Sequence, residues 1–210
     1  MKKENQKVYQ INQINPTKQD WWKETNEAQL NCFPWDELST NSYRPTTTAR
    51  LGTNGEALFV YMETDENELK AETKGFGHTH TDSCMEFFLS PEPAKSMTYF
   101  NWEFNPARGM YLAVGLERQT RVAIPEENYK ELFQVKTSVH ANGWNLEYRI
   151  PLSFLRRYFP SLELKQGHVM RGNFYKCGDD TPHPHYGCWS PINLPKPDFH
   201  CPDFFGELVL

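Results

Sequence analysis

Two Asn-Gly pairs, Asn54-Gly55 and Asn142-Gly143, each stand between β-prone runs, in "TTTARLGTNGEALFVYMET" and "SVHANGWNLEYRIP". A tight primed turn needs positive φ at both central residues, and Asn-Gly tolerates that; the flanking residues alternate with the two-residue period of a strand. Each stretch predicts a β-hairpin. In the second, Trp144, Leu146, Tyr148 and Ile150 form the core side against Asn145, Glu147 and Arg149.

The same period runs through most of the remaining chain. In "DSCMEFFLSP" Met85, Phe87 and Leu89 share one face and Cys84, Glu86 and Phe88 the other. In "TYFNWEFN" Phe100, Trp102 and Phe104 oppose Tyr99, Asn101, Glu103 and Asn105, a half-buried strand with a polar face. "HVMRGNFYKC" sets Arg171, Asn173 and Tyr175 against Met170, Gly172 and Phe174, and "FGELVL" closes the strand list. After Pro151, "LSFLRRYF" has helical spacing and stops at Pro160, which predicts one short helix. Sheets with one apolar face must bury it against another, so the chain is expected to be all-β. The expected form is a two-sheet antiparallel β-sandwich, immunoglobulin- or jelly-roll-like, with one short helix. Its 210 residues suit one domain, 1–210. Aromatics are 14% of a chain only 38% hydrophobic, so the core must draw on Phe, Tyr and Trp. Trp102 and Trp144 belong there, whereas Trp21, Trp22 and Trp35 are expected to cover the open end of a sheet.

Charge and motifs remove several function classes. The net charge is −5 and no Lys/Arg run interleaves with aromatics, so nucleic acid is not an expected partner. No apolar stretch reaches the length of a signal core or a membrane span. The expected location is cytoplasmic unless an export signal has been removed, and no membrane partner is expected. The pattern sets no oligomeric state. No G-x-S-x-G elbow, phosphate-cradling glycine loop or dinucleotide fingerprint occurs, so no catalytic residue is assigned and binding without turnover is the simpler account.

Chemistry-bearing residues crowd into "CGDDTPHPHYGCW", residues 177–189. Tyr186 and Trp189 offer flat apolar surface beside donors and acceptors, as a sugar ring requires. Beneath them Glu103, Asn101, Arg171, Asn173 and Tyr175 make a polar face; the plainer alternative is an Arg171–Glu103 ion pair at the surface. The alternative function is metal binding or redox chemistry by the His/Cys cluster of residues 177–201. His183, His185, Cys177, Cys188, His200 and Cys201 are its candidate ligands, with His78 and His80 in reserve, although no C-x-x-C or H-E-x-x-H pair is present. Asp82, Glu86, Asp179 and Asp180 are the oxygen donors for a structural calcium ion; no cofactor is required. Cys32, Cys84, Cys177, Cys188 and Cys201 are an odd set that suits a reducing compartment and argues against an obligatory disulfide framework; Cys177–Cys188 is the first candidate for a single bridge.

The motifs "YRPTTTARLGTNGEALFVYMET", "TDSCMEFFLSP", "YFNWEFNPARG", "WNLEYRIP", "RGNFYKCGDDTPHPHYGCWSPI" and "PDFHCPDFFGELVL" span nearly the whole chain. Together they resemble the carbohydrate-binding family-nine-like domains of the DOMON-like β-sandwich group, relatives of the family-nine modules of xylanases. That resemblance implies two antiparallel sheets that bind a saccharide without cleaving it. It implies a glycan end held between two aromatic rings, with calcium in structural roles. Carried over by motif, Glu86, Asn101, Glu103, Arg171 and Asn173 become polar contacts and Tyr186 or Trp189 one ring. The second ring departs from the pattern: "KGFGHTHT" leaves Phe76, His78 or His80 in its place. His183 and His185 are expected with Tyr186 and Trp189 at the mouth of the sandwich.

Overall fold

The structure, a computed structural model, describes residues 7–36 and 42–210. In chain order its strands are β1 (Val8–Gln10), β2 (Asn12–Gln13), β3 (Ala28–Gln29), β4 (Thr47–Thr53), β5 (Ala57–Thr64), β6 (Cys84–Ser90) and β7 (Tyr99–Phe104). There follow β8 (Met110–Gly115), β9 (Val122–Ala123), β10 (Lys136–His140), β11 (Gly143–Pro151), β12 (Val169–Cys177), β13 (Tyr186–Cys188) and β14 (Gly206–Val209). One sheet runs β1-β14-β12-β6-β7-β8-β9, with β13 on the far half of β12; the other runs β10-β11-β5-β4-β2, with β3 beside β4. The chain is thus the all-β sandwich its alternation demands. Two pairings depart from antiparallel, β1 on β14 and β2 on β4. They arise because the N-terminal segment steps from one sheet to the other at Ile11, tying the sandwich edge through Ile11 N to Val209 O and Ile14 N to Thr53 O.

Both hairpins form, but in neither does the Asn-Gly pair fill the two central turn positions. Of the first pair only Gly55 has positive φ; Asn54 instead caps the loop, its Oδ1 accepting from the backbone N–H groups of Glu56 and Ala57 at 3.0 and 2.9 Å. In the second, His140 pairs with Gly143, so the turn is Ala141-Asn142, one residue earlier than the motif suggests. Gly143 opens β11 at φ +137°, and a Cβ there would lie 1.9 Å from the Thr64 carbonyl oxygen. Only glycine lets the strand start that close to its neighbour.

The helix after Pro151 is one turn, α2 (Leu152–Leu155), and a second turn, α1 (Tyr129–Leu132), carries no strong periodicity in the sequence. Between the sheets lie the predicted apolar faces, among them Met85, Phe87, Leu89, Phe100, Trp102, Phe104, Trp144, Leu146, Tyr148, Ile150 and Phe174. Fully burying one such side chain contributes about 1.5–3 kcal/mol. At the core's edge Lys176, fully buried, reaches Glu66 Oε2 at 2.9 Å, the Cys177 carbonyl at 2.8 Å and His185 Nε2 at 2.8 Å.

The other face of the larger sheet corrects an expectation. Every residue of β6 and β7 is buried, because residues 192–205 and Trp35 cover the face that alternation made polar. Phe199 stacks on Tyr175 at 4.1 Å, Phe205 packs edge-on to Phe88 and Tyr99, and Trp35 donates to the Leu194 carbonyl at 2.8 Å. Trp21 and Trp22 sit on the outer face of the smaller sheet with Phe59 and Tyr61, so the N-terminal tryptophans cover faces rather than an open end.

Candidate functional site

A cleft of about 310 Å³ stays open between this cover and the loop that carries His78 and His80. Its floor is made by strand register. Glu86 on β6 lies directly opposite Glu103 on β7, Glu103 opposite Tyr111 on β8, and Glu86 opposite Tyr175 on β12. Side chains of directly opposed strand residues are neighbours, so two carboxyls meet at the centre of the sheet. Cys177 Sγ donates to Glu86 Oε1 at 2.9 Å, and Asn101 Nδ2 donates to Glu103 Oε1 at 2.8 Å.

The walls come from the flanking strands β8 and β13 and from loops. On one side His78 stacks on Tyr111 with ring centres 5.7 Å apart, and His80 Nδ1 lies 4.0 Å from Glu103 Oε2. On the other, Tyr186 and Phe199 meet edge to face at 6.2 Å. Arg118 pairs with Asp198 at 3.7 Å, and Arg121 Nε donates to the Arg118 carbonyl at 3.3 Å. The His80 carbonyl accepts from Asp179 N at 3.0 Å, tying the two sides at one end.

Electrostatics follow from burial. Desolvation raises the Glu86 carboxyl well above the usual range, aided by the charge of Glu103; it raises Glu103 to about 7 against the pull of Arg121, and raises Asp179. His80 and His200 are lowered by the same desolvation, so they stay neutral at neutral pH. Three buried polar atoms among these groups have no hydrogen-bond partner: Glu103 Oε2, Asn101 Oδ1 and Arg121 Nη1. Unsatisfied buried groups are costly, and a cluster of them beside a cleft is where a hydroxyl-bearing molecule would recover the loss.

The sequence candidates divide. Glu86, Glu103 and Tyr186 line the cleft, and Asn101 orients Glu103 from beneath. Tyr175 is on the same face but under Phe199, its hydroxyl donating to the Phe199 carbonyl at 3.1 Å. Asn173 clamps Ser190 through both its amide groups, at 2.9 and 2.8 Å, and so pins the cover. Arg171 points to the Phe205 carbonyl at 2.8 Å, away from Glu103; register puts it opposite Ser90 and Glu207, which rules out the Arg171–Glu103 pair. Trp189 is core, edge-on to Tyr9 and Phe174 and 4% exposed, so it is no rim ring. His183 lies 3.4 Å from Glu68 and near Tyr43, and His185 is buried on Lys176, so neither reaches the cleft.

The His/Cys ligands proposed within 177–201 do not converge. Cys188 sits beside Cys32, Cys201 donates to the Asp198 carbonyl, and His200 packs on Phe88. Cys177 faces Cys84 across the ladder rather than Cys188, and the cysteines are free thiols. Nor do the calcium candidates gather: Asp82 accepts from Thr73 N and Asn105, Asp179 borders the cleft, and Asp180 lies 3.9 Å from Lys70. Phe76 packs on Tyr111 behind His78. Reasoning from sequence missed Tyr111, Arg118, Arg121, Asp198 and Phe199. Both arginines read as ordinary loop residues in "LERQTR", and only the β6-β7-β8 register sets that loop beside Glu103; the proline-flanked Phe199 in "PKPDFHC" was the available signal.

The same fold recurs in solved structures. It aligns at TM-score 0.82 and 27% identity, over 97% of this chain and 99% of the other, with a candidate carbohydrate-binding protein from Bacteroides uniformis. A carbohydrate-binding module of family 9 from Caldicellulosiruptor kristjanssonii shares the fold in two complexes. With glucose the match is TM-score 0.62 at 15% identity, over 97% and 95% of the two chains; with cellotriose it is 0.64 at 14%, over 97% and 93%. No curated protein matches the chain. The profile of Carbohydrate-binding family 9, a family of non-catalytic modules, matches residues 22–210, so the chain belongs to that family.

Proposed function

We propose that the cleft binds the end of a saccharide without cleaving it. The observation that carries this is the pairing of unsatisfied polar atoms with ring-bearing walls: Glu103 Oε2 and Arg121 Nη1, both on residues that line the cleft, have no hydrogen-bond partner, and Tyr111 with His78 stands across from Tyr186 with Phe199. Sugar hydroxyls satisfy carboxylate, amide and guanidinium groups in the plane of the ring, while its C–H faces pack on aromatic surfaces. The glucose and cellotriose complexes of the Caldicellulosiruptor module support the ligand class. At about 310 Å³ the cleft is near the lower limit of ligand sites, which favours one terminal ring over a long chain.

Calorimetric titration with glucose, cellobiose, cellotriose and a wider panel of mono- and oligosaccharides is the test. Binding in the micromolar to millimolar range is expected, weakened at least roughly tenfold by Arg121→Ala or Tyr186→Ala, about 1.4 kcal/mol. No heat from any sugar at millimolar concentration, with the folded state verified by circular dichroism, refutes the reading.

A further inference from the structure

We propose that Cys84, Glu86 and Cys177 form a binding site for a thiophilic divalent cation of the zinc class, opening onto the floor of the cleft. Among the described residues, one ligand atom of each lies within 4.8 Å of the other two. The fold produces the triad directly: Cys84 and Glu86 are two apart on β6 and share a face, and the ladder sets Cys177 of β12 opposite Cys84. A tetrahedral zinc ion has Zn–S near 2.3 Å and Zn–O near 2.0–2.2 Å, which puts its ligand atoms roughly 3.5–3.8 Å apart. The triad's spacings bracket that range, since Cys177 Sγ and Glu86 Oε1 are 2.9 Å apart and no pair exceeds 4.8 Å.

Packing alone does not account for this cluster. Buried cysteines serve well as small apolar fillers, but a carboxyl among them costs free energy unless it is well partnered. Glu86 is 3% exposed, receives a thiol hydrogen bond, and faces a second carboxyl across the ladder. A cation bound by Glu86 removes that penalty, and each thiol gives its proton to water as its sulfur–metal bond forms.

The site is also open on one side. Glu86 and Cys177 border the cleft, while Cys84 closes the rear at zero exposure. Glu103, opposite Glu86 on the ladder with no hydrogen bond to its Oε2, lies outside this set of ligand atoms and would accept from a metal-bound water. Protein ligands on three sides with an exchangeable fourth position is how zinc sites that admit outside ligands are built. None of this depends on the saccharide reading.

The full chain, purified with reductant, stripped with a chelator and dialysed, is titrated with Co²⁺ and then Zn²⁺ in the absence of sugar. One equivalent of cobalt is expected to give a near-ultraviolet thiolate-to-metal charge-transfer band, displaced by one equivalent of zinc. The band is lost in Cys84→Ala and in Cys177→Ala and kept in Cys32→Ser and Cys201→Ser. Absence of the band in the wild-type protein, or its survival in folded Cys177→Ala, overturns the proposal; the wild-type titration decides even if a variant fails to fold. Saccharide titration of the stripped protein is a separate readout, so failure of one proposal is distinguishable from failure of the other.

Discussion

Glu103→Gln offers a direct measure of what the cleft costs the fold. The carboxyl rises from its ordinary 4.5 to about 7, with desolvation as the leading cause and Arg121 opposing it. Folded protein therefore holds a proton that unfolded protein has released across that interval. Below about 4.5 both states are protonated and there is no penalty. As pH rises toward 7 the unfolded state ionises first, and stability falls; above 7 the full penalty is in place. At about 1.4 kcal/mol per tenfold, the loss reaches about 3 kcal/mol at pH 8 and about 0.5 kcal/mol at pH 4.5. Glutamine keeps the oxygen that accepts from Asn101 Nδ2 and cannot ionise, so the variant should escape this loss. It also frees Glu86 from a like charge, which works in the same direction. Urea denaturation of both proteins in chelator at the two pH values measures the difference. We expect Glu103→Gln to match the wild type at pH 4.5 and to exceed it at pH 8 by about 3 kcal/mol, a midpoint shift of roughly 1–3 M. Equal stabilities at pH 8, or a difference of the same size at both pH values, would refute the burial of an ionisable pair in the cleft floor.

Two further expectations concern the frame around the cleft. Lys176→Met leaves the buried Glu66 without its cation, and its Trp144 hydrogen bond cannot replace the charge, so unfolding free energy should drop by about 3–5 kcal/mol and recover largely in Lys176→Met/Glu66→Gln; a drop below about 1 kcal/mol counts against the pair. Trp189→Ala should destabilise by about 3–5 kcal/mol while leaving saccharide affinity of the folded protein within about twofold, because the ring packs on Tyr9 and Phe174 away from the cleft. Large loss of affinity with unchanged stability would return Trp189 to the binding surface.

Much of the site's chemistry was legible from alternation. The period of two put Glu86, Asn101 and Glu103 on one face and Phe87, Trp102 and Phe104 on the other, as the structure has them. It could not distinguish a face left open from one covered later in the chain. Arg171, Asn173 and Tyr175 share that face, yet the segment from Ser190 to Phe205 lies over them; Asn173 anchors the cover and Tyr175 supports it. Trp189 departs from expectation for the same reason. Its neighbours in sequence are polar, whereas its neighbours in space are Tyr9, Phe174 and Gly206, where an added Cβ would meet its ring at 2.4 Å.

Local sequence thus determined β4–β7, β10–β12 and β14, the two hairpins, which of their residues face the inter-sheet core, and the sandwich class, because steric alternation and turn chemistry act over a few bonds. Strand register decided that two carboxyls oppose each other, that Cys84 meets Cys177, and that Arg121 comes within reach of Glu103. Those pairings join positions far apart in the chain, and they are selected by the burial of whole faces rather than by the residues that end up touching.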